Sequence, residues 1–204
     1  MHTLYYATSN MRKFTEVYEF MKVHCPHITI KQAPLELIEI QSDDSQAIAI
    51  AKGQQAYAAL NHPVLVDDAG IYLSKYKNFP GTFSKWIYYS IGMEGLLKFI
   101  NHGDSACVLL SLVYVWGPQQ YQAFEGRCQG SVVHPDSYPI TAKGFYDVLF
   151  VPENSGKTYA ELDLAGRDAQ YSYRIRALKQ FFSWYVTHSG NTAQDKQQEP
   201  VLGS

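Results

Sequence analysis

The sequence contains little cysteine, and its cysteines form no pattern that binds metal or builds a disulfide framework. Cys25, Cys107 and Cys128 are far apart, and no two of them form a CxxC pair. An odd number of scattered thiols is typical of reduced side chains in a cytoplasmic protein. We therefore expect neither structural disulfides nor a zinc site.

Several common catalytic signatures are missing as well. The sequence has no P-loop and no GxGxxG, its seven histidines form no HxH or HExxH, and no serine lies in a GxSxG segment. These absences argue against P-loop and dinucleotide-binding proteins, zinc hydrolases and serine hydrolases. Any nucleotide site in this chain must be built in another way.

Long apolar runs and an excess of positive charge are also lacking. No stretch approaches the ~18 apolar residues of a membrane span, and the first residues lack the basic and apolar regions of a signal peptide. With 17 Lys and Arg against 19 Asp and Glu, no overall basic surface is available for a nucleic-acid backbone. We expect a cytoplasmic protein that binds neither membrane nor nucleic acid.

What is present fits one globular unit of mixed α and β structure. The chain has 204 residues, of which 46% are hydrophobic, and it shows no internal repeat. We expect a single domain over residues 1–188 and a polar, disordered tail over residues 189–204.

The apolar periodicity predicts the individual elements. The predicted strands are residues 3–7, 28–31, 63–66, 71–73, 106–116, 120–124, 131–134 and 149–151. The predicted helices are residues 11–24, 45–60 and 173–186, with a further helix that begins at residue 84 and continues over 94–100. Residues 67–70 (DDAG) are predicted to interrupt the third strand.

The first turn places polar side chains at the start of a helix. Thr8, Asn10 and Lys13 offer hydroxyl, amide and ammonium groups where backbone N–H groups and the helix dipole favour an anion. The simpler interpretation is that Thr8 or Asn10 caps the helix while Lys13 is solvated, and this turn alone favours the cap.

Acidic residues follow two apolar segments. Glu39 lies within LIEIQ, and Asp67 and Asp68 directly follow an apolar strand. Carboxylates at strand ends are well placed to hold Mg²⁺ or to activate a water. The alternative is an ordinary turn, and the residues alone do not decide between the two.

Further candidates lie later in the chain. Lys85 and Arg174 are suited to phosphate or base oxygens. Phe145 and Asp147 are suited to stacking on a purine and accepting from its N–H groups. Aromatic residues are more often part of a core, and helix cations are more often solvated.

Taken in order, four segments resemble those of the inosine triphosphate pyrophosphatase (Ham1-like) family. Residues 7–13 (ATSNMRK) are similar to its T/S-x-N-x-x-K opening, and residues 37–41 (LIEIQ) to its L-P-E-I-Q segment. Residues 66–70 (VDDAG), followed by FPG and KW, resemble its acidic pair. Residues 144–152 (GFYDVLFVP), 158–161 (TYAE) and 172–174 (SYR) follow its base-recognition region.

This resemblance implies an elongated central mixed sheet with two lobes that flank a substrate cleft, and a homodimer. It implies that Asp68 and Lys13 are catalytic and that Glu39, Asp67 and Asp68 organise Mg²⁺. The remaining substrate contacts that it implies are Thr8, Asn10, Lys85, Phe145, Asp147, Tyr173 and Arg174.

The implied reaction is the Mg²⁺-dependent hydrolysis of a purine nucleoside triphosphate, such as ITP, dITP or XTP, to the monophosphate and pyrophosphate. Tyr173 stands where the family has a histidine, and residues 144–147 are shorter than the family segment. Both differences lie at the base end, so we expect an altered base preference. The alternative function is a catalytically weak or silent nucleotide-binding protein.

Overall fold

The computed structural model describes residues 2–135, 144–164 and 168–192. Within them the chain forms seven strands: β1 (His2–Tyr6), β2 (Ile28–Gln32), β3 (Val64–Leu73), β4 (Pro80–Gly81), β5 (Ser105–Gly117), β6 (Gln120–Val132) and β7 (Phe150–Pro152). The α-helices in these ranges are α1 (Met11–His24), α2 (Ser45–Leu60), α3 (Ser84–Phe99), α4 (Tyr159–Leu164) and α5 (Tyr173–Thr192). Short 3-10 turns lie at Ser74–Tyr76 and Asp168–Gln170.

The strands form one mixed sheet in the order β2-β1-β3-β5-β6-β7, with β4 paired to β3 at the side. β1 is parallel to β2 and β3, and the remaining pairs are antiparallel. β3 is therefore the strand at which the parallel part of the sheet meets the long β5–β6 hairpin. The predicted mixed α/β class with a central mixed sheet is confirmed.

Successive residues of β3 face opposite sides of the sheet, as in any strand. Leu65 packs in a large core with α1 and α5, whereas Val64 and Val66 pack in a smaller core with Ala49 and Ala56 of α2. Because this alternation continues along the strand, Asp67 faces α1 and α5 and Asp68 faces α2.

The first two helices have the bounds predicted from the sequence. The side chain of Asn10 caps α1 by accepting a hydrogen bond from the N–H of Lys13 at 3.2 Å. Asp44 caps α2 in the same way, by accepting from the N–H groups of Gln46 and Ala47. These caps satisfy backbone donors that have no partner within the helix.

β3 is one continuous strand, so the predicted interruption at residues 67–70 is wrong. Asp67 and Asp68 pair with Leu112 and Ser111 of β5. The turn tendency of Asp and Gly is overridden because β5 supplies a full ladder of backbone hydrogen bonds and because cations approach both carboxylates. Gly70 is needed for a different reason, since a side chain there would overlap the carbonyl group of Gly81 in β4.

β6 is likewise one strand rather than the two predicted at residues 120–124 and 131–134. Its middle carries the exposed ion pair of Glu125 and Arg127 around Gly126. This polar, glycine-containing stretch lacks the apolar alternation that predicts a strand, so nothing in it indicates that the strand continues. The pairing with β5 nevertheless runs from Ser131 to Gln120 with a single irregularity near Gly117. Helix α4 and strand β4 were not predicted.

The final helix is longer than predicted, because α5 continues from Tyr173 to Thr192. The predicted tail therefore overlaps the last turn of this helix, and residues 193–204 lie outside the described part of the chain. The domain bounds at residues 1–188 remain a prediction. Among the described helices, none is both long and apolar enough to cross a bilayer.

Candidate functional site

The loop before α1 brings the first predicted group together. The N–H of Asn10 donates to Oγ1 of Thr8 at 3.1 Å, and the Asn10 side chain caps the helix. Lys13, one turn into α1, extends its ammonium group to Asp67 of β3, with Nζ 2.6 Å from Oδ1. Thr8 and Asn10 thus shape the turn from which Lys13 reaches the sheet.

Asp67 is the centre of a buried charged cluster on the α1 and α5 face of β3. Its side chain is 3% exposed. Oδ1 accepts from Lys13, while Oδ2 accepts from the hydroxyl of Tyr6 at 2.6 Å and from Nε of Arg174 at 2.9 Å. Burial alone raises the pKa of Asp67, but Lys13 and Arg174 outweigh burial and hold that pKa below its usual range.

Both oxygens of Asp67 are therefore engaged by side chains of the protein. This carboxylate orients Lys13 and Arg174 and is not directed to the α2 face, where Glu39 and Asp68 lie. The described residues contain no cluster of three or more His, Cys, Asp or Glu side chains able to hold a metal ion. The structure thus does not assemble Glu39, Asp67 and Asp68 into one set of ligands.

Asp68 and Glu39 meet on the other face of β3, around Lys52 of α2. The Nζ atom of Lys52 lies 2.8 Å from Oε1 of Glu39, 3.0 Å from the carbonyl oxygen of Asp67 and 3.8 Å from Oδ1 of Asp68. The side chains of Lys52 and Asp68 are each 12% exposed. Two carboxylates that are 29 residues apart in the sequence therefore share one ammonium group.

The loop that carries Glu39 is fixed to α2 by an amide side chain. Oε1 of Gln55 accepts from the N–H of Ile38 at 2.9 Å, and Nε2 of Gln55 donates to the carbonyl oxygen of Ile38 at 2.9 Å. This two-point contact places Glu39 beside Lys52. Burial disfavours the charged form of Glu39, but the hydrogen bond and the charge of Lys52 lower its pKa overall.

Asp68 retains one buried oxygen without a partner. Among the described residues, no group forms a hydrogen bond with Oδ2 of Asp68. Burial raises the pKa of Asp68 to about 6, even though Lys52 opposes the shift. A carboxylate with a free oxygen and a pKa close to neutrality can bind a cation or accept a proton.

The base end of the candidate site is formed by α5 and the segment that follows residue 144. The hydroxyl groups of Tyr146 and Tyr173 are 3.1 Å apart, and Arg12 of α1 forms an ion pair with Asp147. The ring of Phe145 stacks on Tyr88 of α3, with centroids 4.6 Å apart and planes 9° apart. The aromatic residue predicted to stack on a base thus has a protein ring against it.

Arg174 is fixed on two sides. Its Nε donates to Asp67, and its Nη1 lies 2.6 Å from Oε2 of Glu16 on α1. Glu16 also accepts from the hydroxyl of Ser172 at the start of α5. Within the described residues, Nη2 of Arg174 is buried and has no partner.

These groups surround a cleft of about 340 Å³, within the size range of small-ligand sites. Among its lining side chains are Lys13, Lys85, Phe145, Tyr173 and Arg174. A second hollow of about 210 Å³ is lined by Glu39, Asp68 and Trp86, among others. Lys85 lines the cleft, and the next residue, Trp86, lines the second hollow, so the two hollows meet at the start of α3.

Several residues of the site were missed by sequence reasoning. Lys52 had a usable signal, since it is the single charged residue of the otherwise uncharged helix α2. Arg12, Glu16 and Tyr88 had none, because each lies on an ordinary helix and its partner is distant in the sequence. Contacts over such separations depend on the tertiary fold.

Comparison with known proteins adds independent information. Residues 4–184 match the model of the Ham1 family. A dITP/XTP pyrophosphatase of Saccharolobus solfataricus is 33% identical over 186 residues, which cover 89% of this chain and 93% of the relative. An inosine triphosphate pyrophosphatase of Tuber melanosporum is 31% identical over 189 residues, covering 91% of this chain and 98% of that protein.

Solved structures show the same fold. A HAM1 protein from Coxiella burnetii superposes with a TM-score of 0.75 at 22% identity, covering 92% of this chain and all of the other. The Ham1 protein of Staphylococcus aureus gives a TM-score of 0.72 at 22% identity, covering 91% of this chain and 99% of the other.

Proposed function

This chain belongs to the Ham1 family, and on that premise we propose that it is a nucleoside-triphosphate pyrophosphatase. Its substrates are purine nucleoside triphosphates with a deaminated base, such as ITP, dITP and XTP. The products are the nucleoside monophosphate and pyrophosphate.

The observation that supports this function best is the free Oδ2 atom of Asp68, buried among cations. Lys52 lies 3.8 Å from the other oxygen of Asp68, and Lys13 is near enough to influence its pKa. Lys85 lines the adjoining cleft. Two ammonium groups near one reactive carboxylate, with a third lining the cleft, match a triphosphate, whose hydrolysis requires positioning and charge neutralisation.

The cations have distinct tasks in this proposal. Lys13, held by Asp67, and Lys85, on α3, bind phosphate oxygens of the substrate. Lys52 keeps Glu39 and Asp68 together and neutralises charge on the pyrophosphate as it leaves. Thr8 and Asn10, in the turn before α1, also bind the phosphates of the substrate.

The chain also has suitable residues for Mg²⁺. Glu39 and Asp68, the latter through Oδ1, would supply two carboxylates, and Mg²⁺ is commonly bound by one or two carboxylates together with substrate phosphates and waters. Asp67 does not belong to this set, because its oxygens accept from Tyr6, Lys13 and Arg174. When bound, Mg²⁺ would neutralise phosphate charge and polarise the bond that breaks.

Asp68 is the general base of the proposed reaction. Its Oδ2 accepts a proton from a water that attacks the α-phosphorus, and pyrophosphate is expelled. The pKa of about 6 lets the carboxylate be ionised at neutral pH yet basic enough to take a proton. Lys13 is catalytic through the charge that it places beside the phosphates.

The base pocket is assigned to Phe145, Asp147, Tyr173 and Arg174. A ring of the purine stacks on Phe145, and the buried Nη2 of Arg174 donates to a base oxygen. Adenine has an amino group in place of that oxygen, so a donor would face a donor and the buried arginine would remain unsatisfied. The proposal also includes a cytoplasmic location, which is based on the sequence composition, and a homodimer, which rests on the family resemblance.

A second candidate function is nucleotide binding without turnover. It is favoured by the altered base end, where Tyr173 stands in place of the family histidine and its hydroxyl lies 3.1 Å from that of Tyr146. A base held in a shifted position there would leave the α-phosphorus misplaced relative to Asp68.

One experiment separates the two functions. Pyrophosphate release is measured from ITP, XTP, ATP, GTP and pyrimidine triphosphates, with and without Mg²⁺, for the intact chain, Asp68→Asn and Asp43→Asn. Asp43 is exposed and serves as the matched control. Mg²⁺-dependent release from ITP or XTP that Asp68→Asn abolishes and Asp43→Asn preserves supports the enzyme. Thermal stabilisation by nucleotides without any release supports the binding protein instead.

A further inference from the structure

Arg12 of α1 lines the cleft and reaches Asp147 at its base end. Its Nη1 atom forms an ion pair with Oδ2 of Asp147, which is 135 residues away in the sequence. The side chain of Arg12 is 34% exposed and lines the cleft, whereas that of Asp147 is 5% exposed. Asp147 therefore holds Arg12 from the buried side, and part of the Arg12 side chain remains exposed.

Most of the hydrogen-bonding capacity of Arg12 is unused. A guanidinium carries five N–H donors on three nitrogens. Within the described residues, Nη1 is the one side-chain nitrogen of Arg12 that donates to the protein. Nε and Nη2 thus have no protein acceptor among the described residues, and Arg12 lines the cleft.

Arg174 adds a second unused donor to the same cleft. Its Nη2 is buried without a partner among the described residues, while Glu16 and Asp67 hold the rest of the guanidinium in place. Two arginines that line the cleft therefore each keep N–H donors without a protein partner among the described residues.

Among the described residues at this end, the side-chain acceptors already have partners. Asp147 already accepts from Arg12, and the hydroxyl groups of Tyr146 and Tyr173 lie within hydrogen-bonding distance of each other. The base pocket is thus rich in donors, and it suits a base whose edge is rich in oxygen acceptors.

We propose that Arg12 is a specificity-determining residue which, together with Arg174, selects the purine that carries two oxo groups, xanthine. This inference rests on the proposed pyrophosphatase function and specifies its substrate. Hypoxanthine has one oxo group and satisfies one arginine. Guanine has one oxo and one amino group, so its amino group meets donors and guanine is disfavoured relative to both xanthine and hypoxanthine.

The test is the substrate preference of Arg12→Met, which removes the donors and retains an unbranched side chain. Values of kcat/KM for XTP, ITP and GTP are measured by pyrophosphate release for this variant, for the unmodified protein and for Lys22→Met. Lys22 lies on the same helix, is exposed and serves as the control. We expect the ratio of XTP to ITP to fall about tenfold in Arg12→Met, the value of a charge-assisted hydrogen bond, and to stay unchanged in Lys22→Met.

A second variant covers the case in which Arg12→Met does not fold because Asp147 is left unpaired. Arg12→Lys keeps the ion pair but replaces the planar fork by one ammonium group, and we expect the XTP to ITP ratio to fall here too, by a smaller factor. Cooperative thermal unfolding of each variant shows whether it is folded.

Each outcome decides the proposal. If XTP and ITP lose activity by the same factor, or if neither does, Arg12 has no role in base selection and the pyrophosphatase function still stands. If the unmodified protein releases no pyrophosphate from any triphosphate, the proposed function fails and the role of Arg12 fails with it.

Discussion

Asp67 and Asp68 are consecutive residues with opposite electrostatic environments. Asp67 is surrounded by donors from three elements, which hold its pKa below the usual range despite burial. Asp68 is buried with one oxygen unpaired, and its pKa is raised to about 6. Two chemically identical side chains therefore serve as a fixed anion and as a titrating group.

The raised pKa of Asp68 has a consequence for stability. The pKa in the folded protein exceeds that of the unfolded chain, which is about 4, so the folded state binds the proton more tightly. The stabilisation is complete below about pH 4 and is lost as the pH rises through about 6. At neutral pH the ionised Asp68 therefore costs stability.

We expect Asp68→Asn to raise the melting temperature at pH 7.5 in Mg²⁺-free buffer while it abolishes activity. The gain should be about 1–3 kcal/mol, or several degrees for a chain of this size, because a neutral amide replaces a buried charge. At pH 4.5 the gain should fall to about a third, because the folded side chain is protonated there while the unfolded one is still largely ionised. Calorimetry at both pH values checks this, and an equal shift at both, or the same shift in Asp43→Asn, would contradict the explanation.

Lys52 should control the pH dependence of the reaction. Burial raises the pKa of Asp68, and Lys52 opposes this, so removing the ammonium group raises that pKa further. We expect Lys52→Met to lower kcat/KM at least tenfold through lost phosphate neutralisation. The acid limb of its pH profile should also move to higher pH. The exposed Lys31→Met is the control, and an unshifted acid limb in Lys52→Met would show that Asp68 is not the titrating base.

At the residue scale, the sequence predicted which side chains lie at the candidate site better than it predicted their partners. The family motifs located Asp67, Asp68 and Glu39, but the side of the strand that each carboxylate faces follows from the cores on either side of the sheet. Arg12 could not be identified, because its partner Asp147 is brought near by the fold alone.

At the scale of elements, helices were predicted more accurately than strands. α1 and α2 have periodic apolar residues and capping side chains, which are local signals, and their bounds agree with the prediction. β3 and β6 were each divided in two, because their aspartates, glycines and exposed charges resemble a turn. Both strands are continuous because they pair with β5. This pairing joins distant parts of the chain and cannot be predicted from the residues of either strand alone.

Gly126 of β6 fixes the position of α5 and thereby of the base pocket. A Cβ atom there would overlap the carbonyl oxygen of Tyr173, the first residue of the helix. We expect Gly126→Ala to destabilise the protein by roughly 2–4 kcal/mol and to weaken substrate binding, because α5 must move away from the sheet.

The matched control is Gly117→Ala in the same hairpin, where the added methyl group meets chiefly the flexible side chain of Gln120. Thermal unfolding and KM for ITP are measured for both variants. A Gly126→Ala protein as stable as Gly117→Ala would mean that the close contact of β6 with α5 does not limit the fold.

At the scale of the whole molecule, the mixed sheet has a hydrophobic core on each face, and the two cores differ in size. The larger core lies under α1 and α5, and the smaller one lies under α2. The candidate site uses residues from both faces of β3, so neither core alone forms it. The sequence predicted the mixed class from its order of strands and helices, whereas the assignment of helices to faces required the structure.

The proposed homodimer can be tested on the intact chain. Sedimentation equilibrium should give a mass of about twice the 23.1 kDa of one chain at micromolar concentration. A mass that stays at 23.1 kDa over this range would make the protein a monomer, and the pyrophosphatase function would be unaffected.

The alternation of β3 also limits how this region can change in evolution. An insertion or deletion of one residue ahead of Asp67 would turn every later side chain of the strand to the opposite face. Asp68 would then lie among Tyr6 and Arg174, and Asp67 would lie beside Lys52. Substitutions in this strand can be gradual, but a change in its length would exchange the two aspartates in one step, so the length should be inherited unchanged.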